Sequence, residues 1–303
     1  MGQRSGPWKH LIGRSAQGRL ACLVALSIAP LSPPTAHAST TSEGTAGAPT
    51  GVPVRMAALG DSITRGRNAC LLPRDCVKRS WSTGRSPEIK SHYRRLKARR
   101  GRLAAYNDAV SGAQVSALAR QAASAVAQRA QYVTILIGAN DACARSEAAM
   151  TPVDDYRTAF RTAMETLRRG VPHARIFVAS IPDLKRMWQV GKDRSAARTV
   201  WTLFHICQSM LADPLSMATA DQARRDRVRR RVIDYNAVMA QVCAKHPTCR
   251  FDGNAVFNYR FTRSQMSRWD HFHPNLNGQA TLARVTYRRS FWADDRGRPA
   301  SES

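Results

Sequence analysis

Four short stretches of the chain carry residue types that can do chemistry. Gly60-Asp61-Ser62 follows an apolar run and opens a polar turn, so Ser62 is either a capping hydroxyl or a nucleophile at a strand end. In "WDHFHPNLNGQ", Asp270 precedes two imidazoles, His271 and His273. A serine becomes nucleophilic near neutral pH when a base sits beside it, and neutral imidazole suits that task. The imidazole in turn needs an orienting acceptor, which an Asp one turn away can supply. On the residues alone both histidines stay open, with Pro274 and the helix start behind it restraining His273. Asp61 is open as an acid, although its place beside the hydroxyl favours bracing the turn through backbone hydrogen bonds. Gly112 in "YNDAVSGAQV" and Asn140 in "IGANDAC" offer the remaining requirement. A backbone amide at a glycine turn and a side-chain amide are preorganised donors for a developing oxyanion.

These residues need a scaffold that brings them together. Five apolar, β-rich runs, at 54–59, 103–107, 132–138, 174–180 and 249–253, alternate with helical patterns. The helices are read at 87–100, 113–128, 152–169, an Arg-rich stretch ending near Cys243, and a last one from Leu276 to about Ser290. Such alternation predicts an α/β fold, a three-layer α/β/α sandwich around a mostly parallel five-stranded sheet. Ligands of such sheets bind beyond the carboxyl ends of the strands. Ser62, Asn107, Asn140 and Asp183 all follow strand ends. A dinucleotide-binding sheet is excluded, because the first turn lacks the Gly-x-Gly-x-x-Gly pattern.

The four stretches together resemble the signature blocks of the SGNH hydrolases, the GDSL esterases and lipases. Gly60-Asp61-Ser62 matches the nucleophile block, with Ile63 where the name-giving motif has Leu. Gly112 matches the glycine block, Gly138-Ala139-Asn140-Asp141 the Gly-x-Asn-Asp block, and Asp270-x-x-His273-Pro274 the last block. The resemblance runs over roughly residues 54–290. It implies Ser62 as nucleophile, His273 as base and Asp270 as its orienter. It also implies an oxyanion hole from the Ser62 and Gly112 amides and the Asn140 side chain. "RSWSTG" and "ASIPD" look like the secreted bacterial branch of extracellular lipases and phospholipase B-like enzymes. The expected activity is hydrolysis of carboxylic esters through an acyl-enzyme, lipid acyl esters favoured, with no metal and no organic cofactor. Acetylated polysaccharide is the alternative substrate.

The rest of the chain bears on location and partners. Arg4, Lys9, Arg14 and Arg19, the apolar run Leu20 to Ile28 and Ala36-His37-Ala38 read as a signal peptide over 1–38. That apolar run is far below the roughly 20 residues needed to span a bilayer. Residues 39–53 read as a flexible leader, 54–292 as the hydrolase domain and 293–303 as a loose tail, giving a secreted protein expected to be monomeric. With Cys22 removed, Cys70, Cys76, Cys143, Cys207, Cys243 and Cys249 remain as disulfide candidates. Near-neighbour pairing of Cys70 with Cys76 and Cys243 with Cys249 is the simplest of fifteen arrangements and leaves Cys143 for Cys207. Cys243-x-x-His246-x-x-Cys249 is a faint zinc pattern with only three ligands.

The formal charge is +26, from 47 basic and 21 acidic side chains, and becomes +22 on losing the four basic residues of the leader. Such charge suits a lipid or anionic membrane surface as partner. It also fits a non-catalytic protein holding anionic polymer, but no nucleic-acid module appears. Within the Arg-rich helix, Val228, Val232, Tyr235, Val238, Met239 and Val242 recur at helical spacing, which predicts a solvated face for the arginines. Asp108, Asp141 and Asp183 read as loop caps, and His92, His173, His205 and His246 as structural or surface residues. Trp81, Trp188 and Trp201 read as core, while Trp269, by position, is a candidate for lining an acyl pocket.

Overall fold

The computed structural model describes residues 51–293. The predicted signal peptide, most of the leader and nearly all of the tail lie outside the described residues. Five parallel strands, β1 (Arg55–Gly60), β2 (Ala104–Asn107), β3 (Tyr132–Leu136), β4 (Arg175–Val178) and β5 (Cys249–Phe251), form one sheet. Their order is β2-β1-β3-β4-β5, so β1 and β3 lie side by side at its centre. The registers pair Ala57 with Val133 and Thr134 with Phe177. β3 is buried along its whole length, as a parallel strand covered on both faces must be.

The helices are α1 (His92–Arg100), α2 (Leu118–Ala127), α3 (Ala139–Ala142), α4 (Val153–Gly170), α5 (Leu184–Gly191), α6 (Ser195–Leu203), α7 (Gln208–Leu211), α8 (Thr219–Ala244), α9 (Ala255–Asn258) and α10 (Leu276–Tyr287). Successive strand residues point to opposite faces, which divides the helices into two layers. On one face, the buried imidazole of His92 in α1 joins Tyr132 of β3 at 2.7 Å and Thr286 of α10 at 2.8 Å. Burial holds that imidazole down to a pKa of about 3, so it stays neutral and structural. Helices α2, α4 and α8 pack on one another in the other layer. The result is the three-layer α/β/α sandwich.

Local sequence explains the helix ends. The Ser91 side chain accepts from Arg94 N, Asp183 from Lys185 N and Asn275 from Gly278 N, each an N-cap. Helix α4 carries Asp154 and Asp155 in its first turn and Arg168 and Arg169 in its last, matching the helix dipole. The predicted helix at 113–128 is a 3-10 turn over Val115–Ala117 before α2. Helices α5, α6 and α7 fill a region where no element was predicted.

The arginines of α8 take the predicted solvated face only in part. Arg225 is fully buried and donates to the carbonyls of Ser216, Ala212 and Asp213, with its guanidinium 4.4 Å from the Trp188 ring. Arg224 holds Ser209 O and Ala212 O, Arg229 pairs with Asp183 at 2.8 Å, and Arg231 holds Thr151 O. Only Arg227 and Arg230 stand exposed, so much of the helix's charge ties down the loops around it. Disulfides join Cys70 to Cys76, Cys143 to Cys207 and Cys243 to Cys249. The sulfurs of Cys243 and Cys249 are thereby bonded to each other and not disposed toward a metal.

Candidate active site

Strand β1 ends at Gly60, whose φ of +144° belongs to glycine. A Cβ there would sit 2.1 Å from Leu136 O on β3. Gln121 of α2 clamps this residue, accepting from Gly60 N at 2.7 Å and donating to Gly60 O at 3.0 Å. The chain then turns tightly, with Arg65 N on Asp61 O and Arg67 N on Ser62 O. Asp61 is completely buried and braces the turn, its Oδ1 accepting from Ile63 N at 2.8 Å. Its Oδ2 has no hydrogen-bond partner among the described residues. Burial pushes its pKa up to about 7, against the opposing pull of the Ile63 amide and His273.

Ser62 is carried by this turn to the carboxyl edge of the sheet. Its Oγ lies 2.7 Å from His273 Nε2, and His273 Nδ1 lies 2.5 Å from Asp270 Oδ2. The last-block segment that bears His273 is held by Ser267 N on His273 O and by Trp201 Nε1 on Asp270 O. Asp270 Oδ1 accepts from the Phe272 and His273 amides at 3.1 and 3.0 Å, while Oδ2 also accepts from Asn68 Nδ2 at 2.6 Å. Burial works to raise the Asp270 pKa, but the His273 ring and these amides outweigh it and hold the carboxyl below its usual value.

His271 takes no part in this chain of contacts. It sits at a left-handed φ of +52°, its amide on Ser267 O, and burial with nearby Arg194 lowers its pKa. Asp108 accepts from Gln128, and Asp183 caps α5 and meets Arg229.

The other two blocks follow the strands on either side of β1. After β2, Val110 N bonds Gly60 O, and Gly112 turns with φ +83°. After β3, Gly138 turns with φ +116°, where a Cβ would meet Ile181 Cδ1 at 2.5 Å, and α3 begins with Asn140 in its first turn. The Asn140 amide donates to Ala113 O at 2.9 Å, which ties it to the Gly112 turn. Asp141 reinforces the link by accepting from Val115 N at 3.0 Å and from Thr151 Oγ1 at 2.9 Å. Burial raises its pKa to about 6. Among the described residues, the amides of Ser62 and Gly112 donate to no other group.

Against His273 lies an apolar pocket lined by Ile63, Ala139, Leu184, Met187, Phe261, Met266 and Phe272. Its free volume is about 20 Å³, little more than one water occupies. Trp269 does not line it; its indole packs under Arg268, 5.0 Å from the guanidinium. Trp81 and Trp201 are fully buried and Trp188 nearly so. A larger polar cleft of about 330 Å³, between α5 and the 257–260 segment, contains none of Ser62, His273 and Asp270. Among the described residues no cluster of three or more His, Cys, Asp or Glu side chains is placed to hold a metal ion.

Sequence reasoning missed Asn68, Gln121 and Trp201, whose roles rest on contacts 202, 61 and 69 residues away. None carries a local signal. Asn68 alone could have been suspected, from its place six residues after Ser62.

The model of the GDSL-like Lipase/Acylhydrolase family matches residues 58–281, and the chain belongs to that family. It is therefore an enzyme of the ester-hydrolysing class. Similar solved structures include an extracellular lipase from Streptomyces rimosus, 18% identical, covering 78% of this chain and 100% of that one, with a TM-score of 0.47. Phospholipase A1 from Streptomyces albidoflavus is 17% identical, covering 78% and 100%, with a TM-score of 0.49. A variant of an acetyl xylan esterase from Geobacillus stearothermophilus is 19% identical, covering 79% and 94%, with a TM-score of 0.47. Comparison with curated proteins finds no match.

Proposed function

We propose that the chain is an exported serine esterase that cleaves carboxylic esters through an acyl-enzyme on Ser62. The observation that carries this reading is the unbroken contact chain from Ser62 Oγ to His273 to Asp270, at 2.7 and 2.5 Å. His273 Nε2 takes the Ser62 proton as Oγ attacks the ester carbonyl carbon. Asp270 fixes the ring with Nδ1–H toward its carboxylate and offsets the charge of the imidazolium. The carbonyl oxygen, now an oxyanion, is met by the free amides of Ser62 and Gly112 and by the Asn140 side chain. As the tetrahedral adduct collapses, His273 returns the proton to the leaving alcohol. Water, deprotonated by His273, then attacks the acyl-enzyme and releases the carboxylic acid.

The acyl group enters the pocket beside His273, whose lining is almost wholly apolar. Lipid acyl esters suit that lining, because Met187 and Met266 are unbranched side chains that can swing aside. A second reading, short acyl groups including acetyl on polysaccharide, is favoured by the pocket's free volume of about 20 Å³. Three disulfides and the leader pattern over residues 1–38 support export. The hydrolase domain is taken as residues 54–292, one unit.

Hydrolysis of p-nitrophenyl esters from acetyl to palmitoyl, by wild type and Ser62→Ala, tests the reading. Turnover that vanishes in the variant supports it, and the chain-length optimum separates the two substrate classes. Equal inactivity of both proteins on every ester would overturn it.

A further inference from the structure

Large apolar side chains left in water are normally scattered singly over a protein surface. Here they are gathered. Of the eight that stand exposed among the described residues, five stand in segments joined to residues that contact the Ser62 turn or Asp270: Leu71, Leu72 and Val110 on loops, Leu203 at the end of α6 and Phe204 directly after it. Leu71 and Leu72 follow Asn68, whose side chain donates to Asp270 Oδ2, and the Cys70–Cys76 disulfide closes their loop. Leu203 and Phe204 follow Trp201, whose indole donates to Asp270 O, and the Cys143–Cys207 disulfide ties their loop to the end of α3. Val110 stands two residues before Gly112. The two longer loops thus spring from the same carboxylate residue, and both are cross-linked, so their tips are held out rather than left to fold inward. Leu71 is 75% exposed and Phe204 67%.

Exposed cations stand beside the tips. Arg74, in the Leu72 loop, and Arg145, two residues past Cys143, are exposed. Asp75, the acidic residue of the first loop, is taken up by Arg65, Arg67 and Ser111. Apolar tips framed by cations are the chemistry of a surface that seats on anionic lipid, the cations meeting headgroups while the tips enter the acyl boundary.

We propose that Leu71, Leu72, Leu203 and Phe204, flanked by Arg74 and Arg145, form a docking surface for an anionic phospholipid bilayer, which brings the Ser62 site to the lipid. Its purpose rests on the ester-hydrolase reading, but the docking is measured apart from hydrolysis. Protein carrying Ser62→Ala is sedimented with vesicles of phosphatidylglycerol or of phosphatidylcholine at about 0.15 M salt, where surface charge is screened beyond ~8 Å. Binding to phosphatidylglycerol is expected, with at least a tenfold lower partition after Leu72→Ser and Phe204→Ser are added. With Ser62 intact, the same double substitution is expected to leave p-nitrophenyl acetate turnover within about twofold, which shows the fold and site unharmed. The proposal is overturned if no vesicle binding occurs, or if the double substitution leaves binding unchanged, since charge alone then suffices. It is also overturned if light scattering finds a dimer that the double substitution dissolves, because the tips would then be a self-association surface. An inert soluble ester alongside intact vesicle binding would count against the esterase reading and leave the docking surface standing.

Discussion

Asn68 and His273 meet on one oxygen: Asp270 Oδ2 accepts from Asn68 Nδ2 at 2.6 Å and lies 2.5 Å from His273 Nδ1. The two donors come from opposite ends of the domain. Asn68 reaches the carboxylate from the loop after Ser62, so the segment that carries the hydroxyl also anchors the carboxylate that holds the His273 ring.

Replacing Asn68 with alanine removes a buried hydrogen bond to a charged acceptor, worth about 1.5–3 kcal/mol. Asp270 keeps the Phe272 and His273 amides, so the segment stays folded. We expect kcat on a soluble ester to fall about tenfold with KM little changed, and Asn68→Asp to be worse because it sets a second carboxylate beside the first. Steady-state kinetics, with thermal melts as the check on folding, measure this. Wild-type kcat in Asn68→Ala would show that Asp270 is positioned without it.

A second expectation comes from Asp61. Its folded pKa is raised to about 7 from 3.8, so the folded protein holds a proton that the unfolded chain has released. The contribution is therefore full below about pH 4 and is lost as pH rises toward 7. Asp141, raised to about 6 by burial, acts in the same direction. Asp270 is lowered and works the opposite way, its stabilisation being lost as pH falls through its folded value. Asp61→Asn keeps the oxygen that accepts from Ile63 N and cannot ionise. Each pH unit of the window is worth ~1.4 kcal/mol. The variant should be more stable than wild type by a few kcal/mol above pH 7, with a flatter decline between pH 4 and 7. Urea unfolding across that range measures it; parallel wild-type and variant curves would refute it.

Much of this was legible in the chain, for reasons that also mark where legibility stops. The strands showed because a parallel strand buried on both faces must be largely apolar, as Tyr132 to Leu136 are apart from Thr134. Ser62, Gly112, Asn140, Asp270 and His273 could be singled out because each sits in a short block with its own backbone need: a turn, a cap, a one-turn Asp–His spacing. Gln121 and Asn68 did not, because a clamp across the fold leaves no mark on neighbouring residues. Arg225 was misjudged for a related reason. It was read with its neighbours as solvated although it stands three residues before Val228 on the apolar stripe, where the carbonyls of Ala212, Asp213 and Ser216 satisfy its guanidinium. Trp269 was read as a candidate for lining an acyl pocket, but it does not line the apolar pocket beside His273, which is assembled from residues scattered between Ile63 and Pro274.

The glycine and asparagine blocks should respond differently to substitution. Asn140→Ala deletes a side-chain donor, and loss of one oxyanion donor costs about 10²–10³ in kcat. Gly112→Ala keeps its amide, and no atom stands within 4 Å of the added Cβ. Its cost is the backbone strain of a φ of +83°, about 1–2 kcal/mol of stability. The expected result is a large kcat loss in Asn140→Ala and a lower melting temperature with near-normal kcat in Gly112→Ala. Equal kcat losses would mean that Gly112 positions its loop by a geometry alanine cannot adopt.

The apolar pocket beside His273 offers the sharpest test of the proposed acyl specificity. Met187, on α5, contributes to a lining that leaves only about 20 Å³ free beside His273. Met187→Ala removes a methylene, the thioether sulfur and the terminal methyl from the pocket wall and opens space where a longer chain would lie. The core pays in stability, about 2–5 kcal/mol for a buried Met truncated to Ala. Catalytic geometry is untouched, since Met187 bonds neither Ser62 nor His273. Across p-nitrophenyl esters from acetyl to palmitoyl, the optimum for kcat/KM should move to a longer chain than in wild type, while acetyl turnover changes little. An unmoved optimum with a lowered melting temperature would mean that the acyl chain leaves the site by another route, and that this apolar cleft is packing rather than recognition.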